Sequence, residues 1–169
     1  TAVYNRREIV RQLHLECQRA NRSGDTFSIL LLDIDHFKQI NDNYGHPTGD
    51  AVLVEIANRI KATVRDSDTV IRWGGEEFLV VCNACSESLA RTMASRILQK
   101  IQDKPMEIDG KSLKLSVSIG YSLLPLHWEA AEELDLDECI RVADACLYLA
   151  KRKGRHRAIG LESINSTQR

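Results

Sequence analysis

Apolar and polar positions recur with two different periods along this chain, and each change of period marks an element. Across residues 4–22, Ile9, Leu13 and Ala20 fall near one face among charged residues, which predicts an amphipathic helix stopped by Ser23-Gly24-Asp25. Phe27-Ser28-Ile29-Leu30-Leu31-Leu32 is too short and too apolar for a surface helix and predicts a buried strand. Residues 51–64 return to helical spacing, with Val52, Ile56 and Ile60 four apart. The short runs Thr69-Val70-Ile71 and Phe78-Leu79-Val80-Val81 flank Gly74-Gly75, so the glycine pair predicts a tight hairpin link. A helix over 86–103 takes Ser86 as its cap and places Leu89, Met93, Ile97 and Ile101 on one inner stripe.

The pattern then returns to strands. Met106-Glu107-Ile108, an Asp109-Gly110 turn and a strand over residues 113–121 predict a second hairpin. Leu113, Leu115, Val117 and Ile119 alternate with Lys114, Ser116 and Ser118 there, which makes one sheet face more polar. Residues 123–135 read as irregular around Pro125. Residues 136–152 predict a helix turning Ile140, Ala143, Leu147 and Ala150 inward and capped by Gly154, with a last short strand near 157–160.

Composition narrows the class. The 169 residues are 43% hydrophobic and 28% charged, which fits one soluble globular domain with a full core. A net charge of −1 argues against a general nucleic-acid binder while leaving room for a local basic patch. No apolar run nears the roughly 18 residues that a spanning helix needs, so no membrane contact is expected. No secretory leader opens the sequence. Its polar, helix-like start is expected of the C-terminal part of a longer regulated protein. The five cysteines are odd in number and scattered, which fits a reducing cytoplasm better than a disulfide framework. Cys82-Asn83-Ala84-Cys85 has redox or half-zinc spacing but lacks a second pair.

Chemistry concentrates in four places. Asp33 and Asp35 lie on one side of a buried strand end, where carboxylates are costly unless they bind a cation or cap a helix. Asp35 has the capping role open to it, before His36-Phe37-Lys38-Gln39-Ile40; Asp33 does not, and suits a Mg²⁺-type ion. The run from Asn41 to Asp50 reads either as a helix–helix connection capped by Asp50 or as a pocket wall whose amide and carboxylate read a purine edge. Glu76 and Glu77 follow the glycines as an exposed acidic tip, either solvated or facing a ligand. Lys151-Arg152-Lys153-Gly154-Arg155-His156-Arg157 is a basic cluster that suits a helix C-terminus or a triphosphate clamp.

Taken in order, these motifs resemble the GGDEF family of diguanylate cyclase domains in its GGEEF form. The resemblance rests on Asn5-Arg6-Arg7, Asp33-Ile34-Asp35-His36-Phe37-Lys38, the Asn41, Gly45-His46 and Gly49-Asp50 loop, Gly74 to Phe78, and Tyr148-Leu149-Ala150-Lys151 with Gly154-Arg155. It spans nearly the whole chain and implies one α+β catalytic domain over 1–169: a mainly antiparallel sheet flanked by helices, with a ferredoxin-like core shared with adenylyl cyclase and polymerase palm domains. It implies condensation of two GTP into cyclic di-GMP and two pyrophosphates by a homodimer using Mg²⁺ or Mn²⁺. Metal ligands are then Asp33, the Ile34 carbonyl and Glu76, with Glu76 and Glu77 catalytic. Lys38, Lys151 and Arg155 match phosphate contacts, Gly74 and Gly75 the bare backbone under the substrate, and Asn41 and Asp50 the guanine readers, with His46 in the same loop. Arg65-Asp66-Ser67-Asp68 stands at the spacing of the family's product-inhibition site, with Arg96 a second guanidinium for bound product. The alternative is a catalytically dead domain that still binds GTP or cyclic di-GMP. Intact Asp33, Glu76, Glu77, Asn41, Asp50 and Lys151 favour the enzyme.

Overall fold

From the N-terminus the elements are α1 (Arg6–Ser23), β1 (Phe27–Ile34), α2 (Phe37–Tyr44), α3 (His46–Lys61), β2 (Thr69–Gly74), β3 (Glu77–Asn83), α4 (Glu87–Gln102), β4 (Met106–Ile108), β5 (Lys111–Leu113), β6 (Val117–Leu124), α5 (Leu136–Arg152) and β7 (Ala158–Gly160). The structure is a computed structural model and describes residues 6–124 and 136–161. β1 is its axis: all eight of its residues are buried, as a strand covered on both faces requires. It is the middle strand of a five-stranded sheet of order β2-β3-β1-β6-β7. Every pairing in that sheet is antiparallel except β6 with β7.

Strand alternation sorts the core into two layers. Leu30, Leu32 and Ile34 of β1 pack with Phe78 and Val80 against Val52, Ile56 and Ile60 of α3 and Ala94 and Ile97 of α4. Phe27, Ile29 and Leu31 pack with Leu79 and Val81 against Leu13 and Cys17 of α1 and Cys139, Ala143 and Leu147 of α5. Each fully buried Leu or Ile contributes about 1.5–3 kcal/mol. The serine-bearing side of β6 faces α5. A Cβ at Gly120 would lie 2.0 Å from the Ala143 carbonyl oxygen, so the missing side chain sets how closely α5 approaches. Ser122 Oγ donates to the Cys139 carbonyl at 2.7 Å, and of the polar face read from the alternation Ser118 is buried, Ser116 half-buried and Lys114 exposed.

Several expectations are corrected. Asp50 does not cap a helix beginning at 51; the chain stays helical through Tyr44, turns once at Gly45 (φ 87°) and is helical again from His46, with Pro47 in its first turn. Asp35 does not cap α2, whose N-cap is His36 in the left-handed region with no side-chain cap. Leu89 is 40% exposed, and Ala90 and Ala94 take the inner positions beside Met93, Ile97 and Ile101. The strand expected over 113–121 divides: β5 closes a separate hairpin with β4, and β6 joins the main sheet. The Asp109-Gly110 turn holds, with both residues at positive φ. Asn5 and the segment around Pro125 lie outside the described residues.

Candidate active site

Parity along β1 decides where its carboxylates go. Asp33 continues the series of Ile29 and Leu31, so it emerges on the α5 side, directly across from Glu77 of β3. Lys151, in the last turn of α5, places Nζ 2.8 Å from Asp33 Oδ2. Asp33 is 7% exposed. Burial pushes its carboxyl above the ordinary value of 3.8, Lys151 pulls it back, and the charges of Glu76 and Asp35 push it up again. Burial raises Glu77 as well, followed by the charge of Asp33. Asp33 and Glu77 both feel the Lys151 charge, Glu76 adds a further negative charge to each, and the surplus of carboxylate oxygen suits a divalent cation. Among the described residues no three His, Cys, Asp or Glu side chains form a ready cage. A cation would rest on Asp33, Glu76 and the Ile34 carbonyl together with oxygens from a ligand.

The hairpin tip is held from two sides. Its two-residue link is Gly75-Glu76, not Gly74-Gly75, because Gly74 pairs with Glu77 after a bulge at Trp73. Ile34 N–H donates to the Glu76 carbonyl at 3.3 Å, which ties the tip to the end of β1. Arg72 donates through Nε at 3.1 Å and Nη2 at 2.9 Å to the Gly75 carbonyl. Sequence reasoning left Arg72 without a role. The signal was a forked donor two residues ahead of a glycine pair, whose carbonyls need partners.

Beside the tip, α3 lines an open groove of about 540 Å³ with Asp50, Leu53, Val54 and Ala57, and Arg72 and Phe78 reach it from the hairpin. Asn41 lies against Gly49, where a Cβ would come within 1.8 Å of its Oδ1. Lys38, His46 and Asp50 are exposed, and Asn41 is half-buried. Past α5, Arg155 is exposed, and Arg155 and His156 both adopt positive φ, 61° and 45°. The Asp35 carboxylate accepts from Ser118 Oγ and Ser116 Oγ, each at 2.7 Å, and from His156 N–H at 3.1 Å. His156 Nδ1 is buried without a partner.

Arg65 is exposed between α3 and β2. Asp68 is engaged within the chain: Oδ2 accepts from Arg65 N–H at 3.0 Å and Oδ1 from Asn83 N–H at 3.3 Å. Arg96 is exposed on α4. Cys82 and Cys85 are buried free thiols that share a hydrogen bond, which pulls Cys85 below and pushes Cys82 above the ordinary thiol range. No helix among the described residues is long and apolar enough to cross a membrane.

Comparison with known proteins places this geometry. A family profile described as "Diguanylate cyclase, GGDEF domain" matches residues 1–157. Diguanylate cyclase A of Treponema denticola is 44% identical over 140 residues, 81% of this chain and 36% of that protein. The chain spans about a third of the length of the first curated relatives it matches. The active GGEEF domain of a diguanylate cyclase from Vibrio cholerae superposes with a TM-score of 0.82 at 31% identity, covering 94% of this chain and 97% of that one. The GGDEF domain of DgcB from Caulobacter crescentus, solved in complex with c-di-GMP, superposes with a TM-score of 0.85 at 29% identity, covering 96% and 93%.

Proposed function

The chain belongs to the GGDEF family of diguanylate cyclase domains, and from that premise we propose that it joins two GTP into cyclic di-GMP and releases two pyrophosphates. The observation that carries the reading is the Asp33–Lys151 pair, 2.8 Å apart, beside Glu77 and the Glu76 hairpin tip. Lys151 offsets part of the buried negative charge. With substrate present it turns to the phosphates, joined by Lys38 and Arg155. A divalent cation, Mg²⁺ or Mn²⁺, would offset charge on the α-phosphate and lower the pKa of the attacking 3′-hydroxyl.

The chain's own groups supply the rest. Asn41 and Asp50 read guanine: the carboxylate accepts from N1 and N2, and adenine lacks that donor pattern. His46 closes the same wall. Gly74 and Gly75 leave the ribose and phosphates against bare backbone. Glu76 accepts the proton of the 3′-hydroxyl as its oxygen attacks the α-phosphate of the second GTP, and pyrophosphate departs from that phosphorus. Glu77, across the strand pair from Asp33, would add a carboxylate toward a second cation. Two half-sites must meet, so the acting species is a homodimer. Product bound at Arg65, with Arg96 adding a second guanidinium, restrains it. A cytoplasmic domain meets these needs, since GTP is there.

The test is chromatography of the products formed from GTP with Mg²⁺. The expected result is cyclic di-GMP and pyrophosphate, lost on chelation and lost in Glu76→Gln with the fold kept. Near-parental turnover by Glu76→Gln would sink the assignment.

A further inference from the structure

The two aspartates at the end of β1 lie on the same side of the strand but have opposite surroundings. Among the described residues the Asp33 carboxylate pairs with Lys151. Asp35 is 5% exposed, and its two oxygens accept three hydrogen bonds, from Ser118 Oγ, Ser116 Oγ and His156 N–H. Its own N–H donates to the Ser116 carbonyl at 2.9 Å. Three of the roughly four acceptor positions of this carboxylate are taken by groups of the chain itself. Its donors come from two directions: the start of β6 and the turn between α5 and β7.

That turn is strained. The end of α5 is closed by Gly154 N–H donating to the Lys151 carbonyl and Arg155 N–H to the Ala150 carbonyl. The chain then passes through positive φ at Arg155 and at His156. Neither is glycine, so each conformation persists only where its surroundings hold it. Within the turn Arg157 Nε donates to the Arg155 carbonyl at 3.0 Å, and two bonds tie it to the rest of the chain: Ile119 N–H donates to the Arg157 carbonyl at 2.9 Å, and His156 N–H donates to the buried Asp35 charge at 3.1 Å.

We propose that Asp35 is a positioning residue for the triphosphate site, its carboxylate fixing the turn that carries Arg155 against the strand end that carries Asp33. This rests on the GTP reading above. Asp35 acts through Arg155 and touches neither substrate nor metal. Removing its charge lets Arg155 and His156 relax toward negative φ, which swings the guanidinium away from the phosphates while Asn41, Asp50 and Asp33 stay in place.

The experiment compares the parent chain with Asp35→Asn, which keeps shape but loses charge and presents a donor to donors. The readouts are KM and kcat for GTP, affinity for GMP, which carries the guanine but lacks the two outer phosphates, and the Mg²⁺ concentration for half-maximal rate. The expected result is a KM for GTP raised about tenfold, with GMP affinity and the Mg²⁺ midpoint unchanged. In a double-mutant cycle, Asp35→Asn adds nothing to the KM of Arg155→Ala. A shifted Mg²⁺ midpoint, additive losses, or equal losses for GTP and GMP overturn the proposal. Should Asp35→Asn fail to fold, Ser116→Ala removes one donor and leaves the charge; it raises KM for GTP about threefold if the anchor is real and leaves it unchanged if not. A parent chain that neither binds GTP nor forms cyclic di-GMP overturns the function proposed above. The anchor is then read from hydrogen exchange at His156 N–H, which quickens in Asp35→Asn and stays unchanged if the carboxylate does not hold the turn.

Discussion

On the proposed function, guanine reading by Asn41 depends on one absent methyl, at Gly49. A Cβ at Gly49 would stand 1.8 Å from Asn41 Oδ1, 2.9 Å from its Cγ and 3.3 Å from the Phe37 ring. The first two belong to a flexible side chain, so Gly49→Ala is accommodated by pushing Asn41 aside while the backbone stays. Alanine is also the better helix former, by up to about 1 kcal/mol. The expected outcome is a variant at least as stable as the parent that binds GTP tenfold or more weakly, about 1.4 kcal/mol. Thermal melting and GTP titration check it together. Unchanged GTP affinity would separate Asn41 from guanine reading.

Among the elements, the segment from α3 into the β2–β3 hairpin joins the proposed feedback site to the proposed catalytic tip. Asp68 is committed to that path, accepting from Arg65 N–H and from Asn83 N–H at the far end of β3. Replacing Asp68 therefore disturbs the hairpin along with any ligand. Arg65 presents an exposed side chain, and its replacement is the cleaner test. Arg65→Ala is expected to keep its initial rate while its progress curve stays straight after the parent's has bent over, because the product no longer binds there. Equal inhibition of parent and variant by added cyclic di-GMP would leave the segment as a charged helix end and assign inhibition to competition at the GTP groove. A separate site also requires reciprocity: the factor by which product weakens the GTP-bridged dimer equals the factor by which that dimer weakens product binding.

For the molecule as a whole, the proposed function makes this site half of a reaction centre. On that reading one set of Asp33, Glu76, Glu77 and Lys151 would serve one GTP, while cyclic di-GMP contains two nucleotides joined head to tail. Specific activity is expected to fall as protein is diluted below the dimer dissociation constant, approaching a tenfold drop per tenfold dilution in the monomeric limit. The check is rate at saturating GTP over a wide dilution series, alongside sedimentation of the same samples. A flat specific activity where sedimentation shows monomer would overturn the dimeric mechanism.

What the sequence by itself determined follows from local physics. The apolar run of β1, the helix over 136–152, the Ser86 cap and the Asp109-Gly110 turn are written in periodicity and turn chemistry, and they stand in the structure. Asp33 was marked as costly for the same reason, since a carboxylate ending a buried strand needs a partner. Tertiary structure decided the partners, because contacts between distant segments leave no period in the chain. It gave Asp33 to Lys151, 118 positions away, and Asp35 to two serines and a turn that follows α5. It divided the 113–121 run between two sheets and buried Ser118 and the following Ser122, since α5 covers a face that alternation alone reads only as polar. It also explains Gly49 and Gly120. Neither sits at a turn; each is glycine because another part of the chain occupies the space where its side chain would be.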